Sequence, residues 1–197
     1  MDINAICRRW WGCIYDKYEN GTDDVALLLD LIGPPPRNVF EVCCGTGRVL
    51  VPLAKAGHNV TGMDADEGML ARIPAKSEGL ANLRYSQANA LTADWGGGYD
   101  VVVLGDNTLM NLEHRDDDRA AQRLFIKKAA DALKPGGHFF LAYDHYPEPE
   151  KIFIEKTRLS KGTTPGRTTR AYRGRSIIAA GFTTPLQESP CGTVTSN

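Results

Sequence analysis

Short apolar segments alternate with amphipathic segments through the middle of the chain. Strands are predicted at residues 38–43, 59–63, 83–87, 99–104 and 138–143. Helical periodicity lies between them, at residues 47–56, 67–76 and 116–133. Two further helices are predicted ahead of the first strand, at residues 3–18 and 23–32. Strands that alternate with helices predict an α/β fold, in which helices cover both faces of a mostly parallel sheet.

Two of the predicted strands are apolar on both faces, at residues 101–104 and 139–142. Central strands of a parallel sheet have this pattern because helices bury them on both sides. In such sheets, ligands bind beyond the carboxyl ends of the strands, near the change in strand order. Polar or glycine-containing segments follow the predicted strands at Gly45–Gly47, Asp64, Asn89, Asp106 and Asp144. We therefore expect these segments to meet at one ligand-binding edge.

The sequence changes character after Tyr146. Residues 148–175 contain eight Lys or Arg and three Glu, a local excess of five positive charges. We interpret residues 148–176 as a basic insertion or loop that is solvated, because the interleaved aromatic residues of a nucleic-acid surface are sparse there. Residues 177–197 are expected to hold a helix end, a glycine cap and a strand. The predicted sheet then has six strands, or seven if the C-terminal hairpin is complete.

Composition narrows the class of protein. The length of 197 residues suits a single domain, 1–197, with a helical N-terminal cap at 1–33 and a core at 38–146. The net charge of −1 does not favour a polyanionic partner, so nucleic acid is not excluded but is not favoured. Neither a membrane-spanning apolar stretch nor a secretory leader is found. The five cysteines lack metal-ligand spacing, so we expect reduced thiols, no metal and a cytoplasmic location.

The first strand runs into a turn that contains Gly45 and Gly47, and Asp64 ends the next strand. Glycines let a ligand approach the backbone, and a carboxylate at that position can accept hydrogen bonds from a ribose diol. This pattern predicts a nucleoside-bearing ligand. A dinucleotide fingerprint would need a third glycine where Leu50 stands, so a dinucleotide is not indicated.

The chain resembles the class I S-adenosylmethionine-dependent methyltransferases. The resemblance is carried by Glu41–Gly47, Asp64, Gln87–Ala90, Gly105–Leu109, Leu133–Gly137 and Ala179–Phe182. Each motif is weak alone, but the six occur in the family's order and at ordinary spacing. The chain departs from the family at Cys43, where the family has its first glycine, and at Asn89, where an aspartate is frequent.

The resemblance implies a Rossmann-like, doubly wound sheet that binds S-adenosylmethionine and releases S-adenosylhomocysteine. Within that site it implies that Glu41 meets the methionine amino group, Asp64 the ribose and Asn89 the adenine. The full set of cofactor-binding candidates is Tyr15, Glu41, Cys43, Gly45, Thr46, Gly47, Asp64, Ala65, Met69, Asn89, Ala90, Asp106 and Asn107.

The implied reaction is transfer of a methyl group to a nitrogen, oxygen or carbon of a small molecule. In-line displacement at a sulfonium depends mainly on orientation, so a general base is optional. Asp106 and His145 are the candidates for such a base. Two alternatives remain: a methyltransferase acting on RNA or protein, and a cofactor-binding domain without turnover.

An aromatic stripe marks the first helix, where Trp11, Tyr15 and Tyr18 share one side. The stripe either packs the helix onto the domain or covers the cofactor as a lid. In the lid arrangement, Tyr15 or Tyr18 would border the methionine tail.

Overall fold

The computed structural model describes residues 3–112, 118–145 and 174–181. The helices of this part are α1 (Ile3–Tyr18), α2 (Asp23–Ile32), α3 (Leu50–Lys55), α4 (Glu67–Leu70) and α5 (Asp118–Ala132). The strands are β1 (Asn38–Val42), β2 (Asn59–Asp64), β3 (Leu83–Gln87), β4 (Tyr99–Leu104), β5 (Leu133–His145) and β6 (Gly174–Gly181). Short 3-10 helices occupy Pro74–Lys76 and Asp106–Asn111.

The strands form one sheet in the order β3-β2-β1-β4-β5-β6. The first five strands are parallel, and β6 runs antiparallel to β5. Strands β2 and β3 lie on one side of β1, and β4, β5 and β6 lie on the other, so the strand order changes direction between β1 and β4. This arrangement confirms the predicted α/β fold, and it puts the switch point beside the carboxyl end of β1.

Successive side chains of a strand point to opposite sides of the sheet. Because the central strands are apolar at successive positions, both faces of the sheet are apolar. Val101 and Val103 of β4 belong to the core on one face, with α2 and α3. Val102 and Leu104 belong to the core on the other face, which Phe125 of α5 completes. The central strands are therefore held from both sides, as their continuous apolar sequence predicts.

Close packing of α3 on β2 fixes the relative position of the first two strand ends. A Cβ built on Gly62 of β2 would lie 2.8 Å from Cδ1 of Leu50. Helix α3 therefore packs against β2 at a distance that a side chain at residue 62 would prevent. The backbone N–H of Cys44 then donates to the carbonyl of Met63 at 2.9 Å. The turn after β1 is thereby tied to the end of β2.

Two predicted helices are shorter than expected. The helix predicted at 47–56 begins only at Leu50, because Gly47 has a φ of 80°, outside the helical region. The helix predicted at 67–76 is divided: α4 ends at Leu70 and a separate 3-10 turn starts at Pro74. A proline cannot donate the backbone hydrogen bond that a continuing helix needs.

The C-terminal prediction was wrong in its local structure. Residues 174–181 form strand β6 rather than a helix end capped by Gly181, which instead pairs with His138. Ile177 and Ile178 are β-branched and pair with Ala142 and Leu141, so they extend the sheet.

The motif at Leu133–Gly137 is not a separate turn before the fifth strand. It is an irregularity inside β5, where the register shifts between Tyr99 and Val101 of β4. Residues 113–117, the rest of the predicted basic insertion and residues 182–197 lie outside the described residues. Among the residues described, no helix is long and apolar enough to cross a membrane, and no group of His, Cys, Asp or Glu is arranged to hold a metal ion.

Candidate functional site

A cleft of about 270 Å³ opens at the carboxyl ends of β1, β2 and β4, at the switch point of the sheet. It is lined by nine of the residues that the sequence predicted: Tyr15, Glu41, Cys43, Gly45, Asp64, Ala65, Met69, Ala90 and Asp106. The strand order divides these residues into two groups. The Asp64 group lies towards β3, and the group of Glu41 and Asp106 lies between β1 and β4.

Asp64 and the glycine turn meet directly. One carboxylate oxygen of Asp64 accepts the backbone N–H of Gly45 at 2.8 Å, and the other accepts the N–H of Asp66 at 2.8 Å. A carboxylate has about four acceptor positions, so these two bonds leave two for a ligand. The half-buried Asp64 is therefore held in a fixed orientation and can still accept hydrogen bonds from a diol.

Asp66, rather than Asp64, caps the N-terminus of α4. The side chain of Asp66 accepts the backbone N–H groups of Gly68 at 2.7 Å and Met69 at 3.3 Å. Asp64 is therefore not the cap of this helix and is available to a ligand. The helix also brings Met69 over the turn, because its Cε would lie 3.4 Å from a Cβ on Gly45.

Glu41 is a buried carboxyl group that faces the cleft. Only 3% of the residue is exposed, and no described residue forms a hydrogen bond with its Oε2. The pKa of Glu41 is raised to about 8: burial is the largest cause, Arg48 opposes it, and the nearby carboxylates of Asp64 and Asp24 add to the rise. Below that pH the free protein holds Glu41 as a neutral acid, and loss of its proton gives a carboxylate that can pair with a cationic ligand group.

Arg48 was not among the predicted site residues, although it lines the cleft. Its Nη1 donates to Asp24 of α2 at 2.8 Å, and both side chains are nearly buried, with 9% and 6% exposed. The Nε of Arg48 has no hydrogen-bond partner among the described residues. The guanidinium is thus fixed by one carboxylate while retaining a buried donor.

Tyr15 connects α1 to the opposite side of the cleft. Its hydroxyl interacts with Arg48 and donates to Asp106 Oδ2 across a long contact of 3.5 Å. Burial raises the pKa of Tyr15, so the phenol remains a proton donor at neutral pH. The series Asp24, Arg48, Tyr15 and Asp106 joins both N-terminal helices to the end of β4.

Helix α1 is also anchored beside the glycine turn. Asp16 forms ion pairs with Lys76 at 2.6 Å and Arg72 at 2.9 Å, and Lys76 donates to the carbonyl of Thr46 at 2.8 Å. Of the predicted aromatic stripe, only Tyr15 lines the cleft, whereas Trp11 and Tyr18 are 56% and 69% exposed. Trp11 and Tyr18 therefore contribute little to packing against the described part of the domain, and Tyr15 is the half-buried member of the stripe.

Four predicted residues do not line the cleft. Thr46 is fully buried, and Gly47 faces Ile73 and Val51 behind the turn. Asn89 is exposed, and its side-chain oxygen accepts the N–H of Leu91 at 2.9 Å. This bond uses one of the two acceptor positions of the Asn89 oxygen.

Asn107, the fourth of these residues, lies in the 3-10 helix after β4. Asp144 and His145 end β5, but their side chains lie outside the part that the structure describes.

Five lining residues were missed: Cys44, Arg48, Val49, Gly105 and Thr108. Arg48 directly follows the glycine turn, so its place in the sequence was a usable signal. The others carry no charge and stand beside predicted positions, and only the bend of the backbone decides which of them face the cleft.

The backbone at Cys43 gives a stability prediction. Cys43 has a φ of 58°, in the left-handed region where a Cβ is unfavourable. Cys43→Gly and Cys43→Ala both remove the thiol, but only glycine relieves the backbone. We expect the glycine variant to be more stable than the alanine variant by about 1 kcal/mol in urea denaturation. An alanine variant of equal or greater stability would show that the turn is not strained at this residue.

Comparison with known proteins identifies the family. A sequence model of a family described as a methyltransferase domain matches residues 39–137, about half of the chain. The chain belongs to this methyltransferase family. The match contains the glycine turn, Asp64 and the loop after β4, so it confirms the resemblance that the motifs indicated.

The most similar relatives of this methyltransferase-family chain include two small-molecule enzymes. It is 34% identical over 149 residues to the ubiquinone biosynthesis O-methyltransferase of Acinetobacter baylyi, covering 71% of this chain and 59% of the relative. It is 32% identical over 176 residues to the glycine N-methyltransferase of Rattus norvegicus, covering 80% of this chain and 60% of the relative. The chain thus spans about three fifths of the length of the curated relatives that it matches.

A solved structure agrees with the family assignment. The SAM-bound amino pentose methyltransferase CalS10 of Micromonospora echinaspora is 25% identical, with a TM-score of 0.58. The alignment covers 70% of this chain and 57% of that protein. The similarity therefore extends from the sequence motifs to the arrangement of the sheet and helices.

Proposed function

We propose that this chain binds S-adenosylmethionine in the cleft and transfers its methyl group to a small molecule. The observation that carries the proposal is the placement of two carboxyl groups in one cleft, on either side of the glycine turn. Asp64 can accept from a ribose diol, while Glu41 offers an unused oxygen to an ammonium group. The cofactor carries both groups, separated by its sulfonium.

The other groups of the cleft fit the same ligand. Met69 and Ala90 give the Asp64 side of the cleft apolar surfaces against which a base can stack. At the other side, the buried Nε of Arg48 is a donor that suits the carboxylate of the methionine tail. Asn89 is not included in this assignment, because it does not line the cleft.

The protein's contribution to catalysis is mainly orientation and exclusion of water. When bound, S-adenosylmethionine supplies a methyl group already activated by positive sulfur. Holding a nucleophile in line with that carbon can lower the barrier by ~7–11 kcal/mol. Tyr15 of helix α1, which is anchored through Asp16, lines the cleft and would limit the access of water there. Asp106 and Thr108 lie where an acceptor would approach.

A small-molecule acceptor is favoured over RNA or protein. The relatives named above are, by their names, methyltransferases of ubiquinone biosynthesis, of glycine and of an amino pentose. The described cleft is lined by carboxylates, and its single cation, Arg48, is paired with Asp24. A polyanion would therefore find little attraction there.

The free thiols of Cys13, Cys43 and Cys44 suit a reducing, cytoplasmic compartment.

Calorimetric titration tests the cofactor assignment. We expect S-adenosylmethionine and S-adenosylhomocysteine each to bind one site per chain, with saturation by ~100 µM. NADH serves as the control ligand and should not bind. Absence of heat with both adenosyl compounds would overturn the proposal. Binding without turnover of any small acceptor would instead identify a cofactor-binding domain that has no activity of its own.

A further inference from the structure

Asp106 has an unusual backbone conformation at the edge of the cleft. It directly follows Gly105 at the end of β4, and its φ is 63°, in the left-handed region. Most side chains disfavour this region, although aspartate and asparagine tolerate it. Its Oδ1 accepts the N–H of Asn107 at 3.0 Å, while Oδ2 is within 3.5 Å of the Tyr15 hydroxyl. The carboxylate is thereby presented to the cleft in a defined orientation.

Charge around this carboxylate restricts the kind of nucleophile that can approach it. Among the described residues that line the cleft, Arg48 is the only cation, and Asp24 neutralises it at 2.8 Å. Asp64 adds a second carboxylate, while Glu41, Tyr15 and Thr108 contribute polar groups that are uncharged at neutral pH in the free protein. An anionic nucleophile such as a carboxylate or phenolate would be repelled, whereas an ammonium group would be attracted.

We propose that the acceptor is an amine, bound and deprotonated by Asp106, with Tyr15 as the residue that positions this carboxylate. The inference rests on the proposed methyl transfer and specifies its substrate class. Asp106 then serves the acceptor rather than the cofactor.

The proton and electron balance of the step is simple. A bound alkylammonium gives one proton to the Asp106 carboxylate and becomes a neutral amine. The nitrogen lone pair forms the bond to the methyl carbon as the carbon–sulfur bond breaks, and that electron pair remains on sulfur as the thioether. The product leaves as a methylated ammonium ion, and Asp106 passes its proton to water.

Tyr15 acts through Asp106. Its hydroxyl donates to Asp106 Oδ2, and the same phenol interacts with Arg48, which is held by Asp24. Because Oδ1 accepts from Asn107, both carboxylate oxygens have a protein partner that sets their direction. Loss of the Tyr15 hydroxyl should therefore weaken amine binding more than the chemical step.

The test uses the full chain with three matched probes: benzylamine, benzyl alcohol and benzoate, together with glycine and glucosamine as further amines. Calorimetry measures amine binding to the protein saturated with S-adenosylhomocysteine, and product release measures turnover. We expect at least one amine to bind and to be methylated, and neither oxygen analogue to react. Methylation of an oxygen acceptor, or binding of no amine to a complex that forms normally, would overturn the inference.

Variants separate this inference from the cofactor assignment. Asp106→Asn keeps a residue that tolerates the left-handed conformation, and it should lower kcat/KM for the amine by about 10²-fold or more. Its Kd for S-adenosylmethionine should stay within about threefold. Tyr15→Phe should raise KM for the amine more than it lowers kcat, and Glu78→Gln, on an exposed loop, is the control.

The outcomes are distinct. Undiminished amine turnover in Asp106→Asn would overturn the role of Asp106 alone. Failure of wild-type protein to bind the cofactor would overturn both the inference and the proposed function.

Discussion

Replacing Glu41 by glutamine is expected to weaken binding of S-adenosylmethionine by about 10- to 100-fold at pH 8. Hydrogen bonds to charged groups contribute about 1.5–3 kcal/mol, and the variant replaces an ammonium–carboxylate bond by an ammonium–amide contact. The buried, unpartnered Oε2 of Glu41 is the reason to expect so large an effect from one side chain. Calorimetric titration of the two proteins measures it.

The same variant should have an altered dependence on pH. Wild-type Glu41 must lose its proton to pair with the ammonium group, and its pKa in the free protein is about 8. Cofactor affinity should therefore rise with pH, by up to about tenfold per pH unit below 8, and then level off. Glu41→Gln should lack this rise.

Stability should change in the opposite direction. Because the folded pKa of Glu41 lies above its unfolded value, the stabilisation from holding this proton is complete below pH of about 4.5 and is lost as pH rises through 8. Glu41→Gln should therefore be more resistant to urea than wild type at pH 8.5. The exposed Glu78→Gln is the matched control. Unchanged affinity together with unchanged stability would contradict the assignment of Glu41.

Replacing Asp64 by alanine is expected to reduce binding of S-adenosylhomocysteine by about 100-fold or more. The variant removes the acceptors for a ribose diol and also releases the Gly45 N–H that orients the turn. Two charge-assisted hydrogen bonds to one carboxylate account for a loss of about 3 kcal/mol or more. Calorimetry with adenosine and with S-adenosylhomocysteine should show parallel losses, because both ligands carry the ribose.

Asp66→Ala provides a control two residues away. Asp66 caps α4 through Gly68 and Met69 and does not line the cleft. Its loss should lower the free energy of unfolding by about 1 kcal/mol while leaving nucleoside affinity nearly intact. If the two variants bound adenosine equally well, the role of Asp64 would be rejected.

The sequence was sufficient to predict the architecture and the contact between Gly45 and Asp64. Strands that alternate with helices leave few arrangements other than a parallel sheet, and parallel strands bring their carboxyl ends to one edge. Local spacing therefore implied a contact between residues 19 positions apart, and a hydrogen bond of 2.8 Å joins them.

Features that depend on tertiary packing could not be predicted from the sequence. The pairing of Arg48 with Asp24 requires knowing how α2 lies against the turn, which no periodicity specifies. Asn89 has a side chain equally suited to a ligand or to its own loop, and only the fold shows that its oxygen accepts from Leu91 within that loop. Strand β6 was misread because Ala179–Gly181 also suits a helix end, and only pairing with β5 favours a strand.

A crystal structure of the protein with S-adenosylhomocysteine tests the central claim most directly. The account predicts that the ribose hydroxyls lie about 2.7 Å from the Asp64 carboxylate and that the amino group lies within hydrogen-bonding distance of Glu41. A nucleoside bound outside the cleft of Gly45, or a ribose that makes no hydrogen bond with Asp64, would contradict it.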